Sequence, residues 1–240
     1  MIDLHNHIIP AVDDGARSAE ESLEILKHYV ESGFSAICAT SHIRSALFDN
    51  DEENIRRHAP IVEEIIKREG LPLAFRYGAE YYYDDSLLEK LDNPKDLLTL
   101  DPEGRYLLVE FDYKIAPPHL KEFVFKLGLK GLRMVMAHPE RYRYIYKDFD
   151  FAEELIAMGV IMQGTLGSLM GEMGSRPRKH FKEMLKADLF QIISTDCHRM
   201  PSCKKMLFEG IEIVKKEVGT EKSLELLQTT PALIYKGQPF

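Results

Sequence analysis

Six short apolar runs in this chain each lead into a residue that can bind a metal ion. Leu4 is followed by His5 and His7, Ala39 by Thr40-Ser41-His42, and Ala79 by Glu80. The run RYLLV ends at Glu110, LRMVMA at His138, and QIIS leads through Thr195 to Asp196 and His198. Singly, each has an ordinary explanation: a loop histidine, an acid at a helix start or, for Asp196, a helix N-cap. Together they are eight donors of two kinds. Gathered on one face they would repel one another, and burying them unpaired costs several kcal/mol each. Cations remove that penalty. Imidazole mixed with carboxylate, without thiolate, suits manganese, iron, zinc or cobalt. Eight donors exceed the needs of one ion, so two or three ions with a bridging carboxylate are expected. Closely spaced ions can clamp a phosphate and acidify a water.

The elements that must position these donors alternate along the chain. Strands are expected at Met1–Leu4, Phe34–Ala39, Leu73–Ala79, Arg105–Glu110, Leu132–Ala137, Val160–Gln163 and Gln191–Ser194. Ser18-Ala-Glu-Glu21 is a capping box, after which Leu23, Leu26 and Val30 recur at helical spacing and Gly33 stops the helix. Asp51–Glu69 reads as a second helix, with Ile61, Val62, Ile65 and Ile66 inward and Gly70 at its end. Shorter helices are expected at Ser86–Leu91, Pro118–Leu127, Asp150–Met158, His180–Ala187, Lys204–Val218 and Glu221–Leu227. Strict β/α alternation implies a parallel sheet. Seven units suit a closed or distorted barrel, whose strand C-termini converge on the face where active sites form.

Composition excludes several classes. The 240 residues, 45% of them hydrophobic, suffice for one domain spanning 1–240. A net charge of −8 argues against a nucleic-acid groove and for no nucleic-acid partner. No run is long and apolar enough to insert in a membrane, and MIDLHNHIIP lacks the basic n-region of a signal peptide. The odd cysteines at 38, 197 and 203 are expected to be unpaired and to mark a reducing compartment, so the protein is expected to be cytoplasmic. Cys38 and Arg44 stand at the C-x5-R spacing of cysteine phosphatases. No glycine lies between them, and Cys38 falls in an apolar strand where thiols are inert. His28, His58, His119 and His180 are expected to serve surface or packing roles.

The opening HNHIIPAVDDGARS resembles that of the PHP (polymerase and histidinol phosphatase) superfamily, and in particular its capsule-linked, manganese-dependent bacterial tyrosine-phosphatase branch. TSH at 40–42, GAE at 78–80, VEF at 109–111, AHPERY at 137–142 and STDCH at 194–198 follow in the order of that branch. The resemblance runs from Met1 to Pro231. It implies a distorted (β/α)7 TIM-like barrel and a site of two to three divalent ions, manganese foremost, with iron, zinc or cobalt as alternatives. One ion would sit on His5, His7, Glu80 and Asp196. A second would share Glu80 and add Glu110 and His138. A third would take His42, His198 and an acid of the Asp13-Asp14 pair, with Asp14 favoured. Arg141 would grip phosphate in a bidentate fork, or else pair with Glu140 or another barrel acid. Arg141, Glu80 and Asp196 would carry catalysis.

The same resemblance implies hydrolysis of phosphotyrosine on a protein, with a bacterial tyrosine-kinase tail as partner and a role in capsular or exopolysaccharide synthesis. Alternatives are a phosphatase of histidinol-phosphate type, a nuclease or proofreading phosphoesterase, and a non-catalytic regulatory module. The chain departs from the pattern at Cys203, where a second phosphate-binding Arg is expected. Arg199 or Lys204 would substitute. The Gly-rich stretch 165–179 is either a lid over an anionic substrate or a mobile connector.

Overall fold

A computed structural model describes all residues, Met1–Phe240. In chain order the elements are β1 (Ile2–Asp3), α1 (Ala19–Glu31), β2 (Ala36–Ala39), β3 (His42–Ile43), α2 (Glu52–Glu69), β4 (Ala74–Tyr77), β5 (Glu80–Tyr82) and α3 (Asp85–Lys90). Then come β6 (Tyr106–Glu110), α4 (Leu120–Leu129), β7 (Arg133–Ala137), α5 (Arg143–Tyr146), α6 (Phe149–Ala157), β8 (Ile161–Thr165), α7 (Leu166–Met170) and α8 (Ser175–Lys186). The chain ends with β9 (Ile192–Ser194), α9 (Ser202–Lys205), α10 (Ile211–Leu224) and α11 (Thr230–Tyr235). Every strand pair is parallel, in the orders β1-β2-β4 and β3-β5-β6-β7-β8-β9. Beyond β1 and β9, a parallel bridge joins Asn6 to Cys197. All seven expected strands are present. The two short extra strands, β3 and β5, carry His42 and Glu80.

Local chemistry explains the elements. Ser18 caps α1 by accepting from the Glu21 amide, and Asp51 caps α2 by accepting from the Asn54 amide. Gly70 ends α2 in the left-handed conformation that a side chain disfavours. Except for β4, whose residues are exposed or half-buried, the strands are largely buried on both faces, as parallel strands covered by helices are, and period-2 alternation sends their side chains to two cores. Ile37, Leu107, Val109, Met134, Met136, Met162 and Ile193 join the larger core beneath the helices. Ile2, Leu4, Ala36, Cys38, Leu108, Val135, Ala137, Ile161 and Ile192 form an inner core closed by Ile234 of α11.

Three expectations are corrected. The stretch 165–179 is not a mobile connector through most of its length: it forms α7 and the start of α8. The helix expected from His180 begins at Ser175, because Pro177 sits in the first turn, where its missing N–H costs no intrahelical bond. The cysteines are not all unpaired. Cys197 and Cys203 form a disulfide, with Cα atoms 5.3 Å apart, well inside bridging range. The loop between them turns back, the Cys203 amide donating to the Arg199 carbonyl. Only Cys38 is free, so cysteine usage no longer argues for a reducing compartment.

Candidate metal centre

The inner face of each strand changes character toward its C-terminal end. Asp196 stands beyond the end of β9; along the strands Tyr106 and Leu108 are followed by Glu110, Ile161 by Gln163 and Thr165, and Ile192 by Ser194, each two residues on. A residue period of two keeps them on one side. The donors gather there around Glu80, which is fully buried. Glu80 Oε2 lies 3.1 Å from His5 Nε2, 3.4 Å from His7 Nε2 and 3.0 Å from His42 Nδ1, and Oε1 lies 3.0 Å from His138 Nε2. Asp196 Oδ1 is 3.2, 3.4 and 3.6 Å from His5, His7 and His198. Glu110 reaches His42 at 4.0 Å and His138 at 3.8 Å. Asp14 Oδ1 stands 3.8 Å from His42 Nε2 and 3.5 Å from His198 Nε2. All nine residues expected as ligands thus lie together. Ligand atoms within 4.8 Å of one another form the groups His7-Asp14-His42-His198, His5-His7-Asp196 and His42-Glu80-Glu110.

The donor set fits divalent transition ions. Glu80 Oε2 and Glu110 Oε2 are buried carboxylate oxygens without a hydrogen bond, an arrangement that costs several kcal/mol unless a cation sits beside them. Burial, then the Glu80 charge, push the Glu110 carboxyl up to about 7. Burial would raise Glu80 as well, but the charge of His5, with the His42 and His138 imidazoles beside it, outweighs it and holds its carboxyl well below the usual range. Burial opposes Asp196 in the same way, and Arg141 and His5 hold it well below its ordinary value. His42 and His138 are pushed down to about 4 by burial, with Arg141 adding to the effect at His138. Both are therefore neutral near pH 7, the form that ligates metal. His138 (φ 36°) and Asp196 (φ 55°) have left-handed backbone, which non-glycine residues adopt at a cost and mostly at functional positions.

The Asp13-Asp14 pair divides its work. Asp13 Oδ2 accepts from His7 Nδ1 (2.8 Å) and from the His42 amide (2.9 Å), while Oδ1 accepts from the Gly15 amide (2.9 Å). Asp13 therefore fixes the tautomer and direction of His7, the usual task of an acid behind a ligand histidine. Asp14 faces His42 and His198. The turn between them and α1 needs Gly15, where a Cβ would stand 2.0 Å from the His7 carbonyl oxygen.

The cationic candidates separate. The Arg141 guanidinium pairs with Asp196 and donates to Ser168 Oγ (3.0 Å) and Thr165 Oγ1 (3.1 Å). Its acid partner is a ligand candidate and not Glu140, which is occupied by the amide and hydroxyl of Thr165. Arg199 Nε donates to the Asp14 carbonyl (2.9 Å) at the rim. Lys204 is not brought to the ligands; it lines a cavity of about 600 Å³ with Met170, Glu172 and Phe208. Cys203 is buried and disulfide-bonded, so its position could not present a cation without repacking. The Cys38 thiol is buried in the inner core, and burial pushes it far above its usual range. It cannot be a nucleophile.

Three neighbours of the site escape the spacing argument. Gln163 Oε1 accepts from His5 Nδ1 (2.6 Å), fixing that ring as Asp13 fixes His7. Tyr113 donates its hydroxyl to Glu110 Oε1 (2.9 Å). Arg44 stands 3.7 Å from Glu110 Oε2 with its guanidinium over the Tyr82 ring. Gln163 had a signal, a lone polar side chain in an apolar strand. Arg44 was visible only as the end of a misleading C-x5-R spacing. His28, His58, His119 and His180 lie away from the cluster, in contact with Glu31, Asn54, Glu122 and Glu183.

A parallel α/β fold with a buried His/Asp/Glu cluster at its strand ends defines a metal-dependent hydrolase. The family model for capsular polysaccharide synthesis proteins CpsB/CapC matches residues 1–236, and the chain belongs to that family. It is 32% identical to the tyrosine-protein phosphatase CpsB of Streptococcus pneumoniae, over 99% of both chains. It is 30% identical to the tyrosine-protein phosphatase YwqE of Bacillus subtilis, over 98% of this chain and 91% of that one. A crystal structure from work on YwqE and CpsB, described there as metal-dependent tyrosine phosphatases, superposes with a TM-score of 0.88 at 29% identity. It covers 100% of this chain and 96% of the other. The Listeria monocytogenes lactonase Lmo2620, 12% identical with a TM-score of 0.65, shares the fold.

Proposed function

We propose that this chain is a metal-dependent protein tyrosine phosphatase that transfers the phosphoryl group directly to water, without a covalent enzyme intermediate. The observation that carries the reading is the pair of buried carboxylate oxygens, Glu80 Oε2 and Glu110 Oε2, left without hydrogen bonds beside the imidazoles of His5, His7 and His42. His5, His7, Glu80 and Asp196 would hold one ion, Glu80, Glu110 and His138 a second, and Asp14, His42 and His198 a third, with manganese foremost. When bound, such ions supply positive charge to phosphate oxygens and lower the pKa of the attacking water. Asp13 and Gln163 hold His7 and His5 in fixed orientation. Arg141, beside Asp196, would share the charge of a phosphate at the cluster, and Arg199 and Arg44 stand on the rim. Phosphotyrosine and water become tyrosine and inorganic phosphate, and one proton passes to the phenolate.

The reading includes a distorted (β/α)7 barrel in one domain, 1–240. β2 with β3 and β4 with β5 serve as single interrupted strands, giving seven. The Asn6–Cys197 bridge, with the His7 amide donating to the Cys197 carbonyl, brings the last strand to the first. No helix is long and apolar enough to cross a membrane. A cytoplasmic setting, a tyrosine-kinase tail as substrate and a role in capsule or exopolysaccharide synthesis belong to the same proposal, which the family match supports. A substrate panel tests it: phosphotyrosine peptide, histidinol phosphate, a nucleotide monoester and single-stranded DNA, with and without chelator. The expected result is chelator-sensitive turnover of the phosphotyrosine peptide, at a kcat/KM at least tenfold above the others. Turnover at full rate without metal, or a preference for histidinol phosphate or DNA, would overturn it.

A further inference from the structure

The segments that follow β7 and β8 carry a second feature that the reaction does not use. A cavity of about 750 Å³ is lined by Arg143, Tyr146, Lys147, Ser175, Arg176, Lys179 and His180, with no carboxylate among them. In a chain of net charge −8, this concentration of cations is a local reversal of sign. Its walls come from the two segments that follow β7 and β8, so it opens at the same strand ends as the ligands. Arg143 is two residues beyond Arg141, and its amide donates to the carbonyl of Tyr113, whose hydroxyl holds Glu110. α8 packs on the Pro139–Arg141 turn, and the His180 ring stacks on Tyr146 at 3.7 Å, joining the two walls.

The acids near this cavity neutralise only part of it. Glu183 engages Lys179 (3.6 Å) and His180 (3.1 Å). Asp148 is turned to its own helix, capping the Phe151 amide. No carboxylate pairs with Arg143, Lys147 or Arg176, all of which are exposed. The first turn of α8 adds to the excess. α1 and α2 begin with Glu20-Glu21 and Glu52-Glu53, whereas α8 begins with Arg176 and no acid. Cations there oppose the positive end of the helix dipole, a cost that an anion at the same place would relieve.

We propose that this cavity is a second anion subsite. It binds a negatively charged group of the substrate protein, flanking the phosphotyrosine, while Arg141 and the cluster receive the phosphate to be removed. The inference rests on the phosphatase reading above. The chemistry shared by its ligands is that of an oxyanion, either an Asp or Glu carboxylate or a second phosphate. Charged rims of this kind select and orient partners, and the net negative charge of the rest of the chain would steer an anionic segment toward this basic opening.

The test compares the wild type with Arg143→Glu/Arg176→Glu, both exposed and outside the cluster, and with Arg143→Lys/Arg176→Lys. The substrates are para-nitrophenyl phosphate and three peptides carrying one phosphotyrosine flanked by glutamines, one flanked by glutamates, or two phosphotyrosines. The charge reversal should lower kcat/KM for the glutamate and doubly phosphorylated peptides about tenfold, through KM, and leave the other two substrates within about twofold. The lysine pair should restore most of the loss. A loss on only one anionic peptide would assign the subsite to carboxylate or to phosphate. Equal effects on all four substrates, or none, would overturn the proposal. Para-nitrophenyl phosphate turnover by the wild type tests the phosphatase reading separately. Anisotropy of a glutamate-flanked phosphonotyrosine peptide reads the subsite without turnover. Single-stranded DNA competing as well as that peptide would assign the cavity to nucleic acid and overturn the proposal.

Discussion

One face of the sheets ends in two opposite chemistries. Toward the strand N-termini it is an apolar plug of Ile2, Leu4, Cys38, Leu108, Val135 and Ile192 beneath Ile234. The C-terminal tail covers that end, with Tyr106 donating its hydroxyl to the Gln238 carbonyl and Arg105 to the Gly237 carbonyl. One to four residues further along the chain from these strands lie His5, Glu110 and Asp196, buried nearly as deeply and far less content with one another. The plug gains stability from removal of apolar surface from water. The cluster lowers stability until cations neutralise it. Substitutions at the two ends should therefore fail in different ways: at the plug the fold weakens and chemistry survives, and at the cluster the reverse holds.

Glu80→Ala should have the largest effect. This carboxylate touches four imidazoles, so its removal is expected to lose more than one ion per chain and to lower kcat/KM on the order of 10³-fold or more. Metal analysis by mass spectrometry and steady-state kinetics check it. Because a buried charge with unsatisfied oxygens disappears, the metal-free variant should melt no lower than metal-free wild type. A clear drop in its midpoint would mean that the cluster is structural, and the comparison of the two ends would fail.

Arg141→Ala should cost about 10²-fold in kcat/KM on a phosphotyrosine peptide, about 2.7 kcal/mol. The contact with Asp196 adds a condition that spacing alone could not supply: the guanidinium also helps to keep that ligand ionised. Metal content should fall only slightly, since His5, His7 and His198 still surround Asp196. Near wild-type kinetics would remove Arg141 from the site's chemistry. Loss of an ion would recast it as a support for Asp196.

Ile234→Ala probes the other end. The side chain is fully buried where α11 closes the inner core, and truncation there should cost roughly 2–4 kcal/mol of stability. Metal content and kcat/KM at 25 °C should stay within about twofold, measured beside a denaturant titration. A variant that lost activity in proportion to stability would show the two ends to be coupled.

Much of this was legible in the sequence because parallel strands translate position into place. All seven strands were marked by apolar runs, and the candidate ligands followed from asking what stood at each run's end. Three things were not legible. The Cys197–Cys203 disulfide depends on how the loop after β9 turns, and counting three cysteines pointed the other way. The start of α8 was hidden by Pro177 and two glycines, which read as a loop until the proline is placed in the first turn. Asp13, Gln163, Tyr113 and Arg44 act on ligands from other elements, and such contacts between distant segments leave no local pattern. The division of Asp13 from Asp14 was open for the same reason: adjacent acids are equivalent until the fold gives one of them His7 to hold.

Cys38→Ser should have the smallest effect on activity, and it joins the two ends in one residue. Cys38 and Arg44 have the spacing of a cysteine phosphatase, so a thiol mechanism would predict a loss of about 10³-fold or more. The fold separates them by function. Cys38 lies in the apolar plug, fully buried, with its thiol held far above its usual range by burial. Arg44 lies at the rim against Glu110 and Tyr82. A thiolate cannot form where Cys38 sits, and no phosphate can reach it. Serine replaces sulfur with a smaller, more polar atom in a site of Leu, Ile and Ala, so a stability loss on the order of 1–2 kcal/mol is expected from the buried hydroxyl. At a temperature where the variant is folded, kcat/KM on a phosphotyrosine peptide should stay within about twofold of wild type and remain chelator-sensitive. A folded, metal-replete Cys38→Ser enzyme that had lost its activity would mean that the plug takes part in the chemistry, and the assignment of catalysis to the His/Asp/Glu end alone would have to be abandoned.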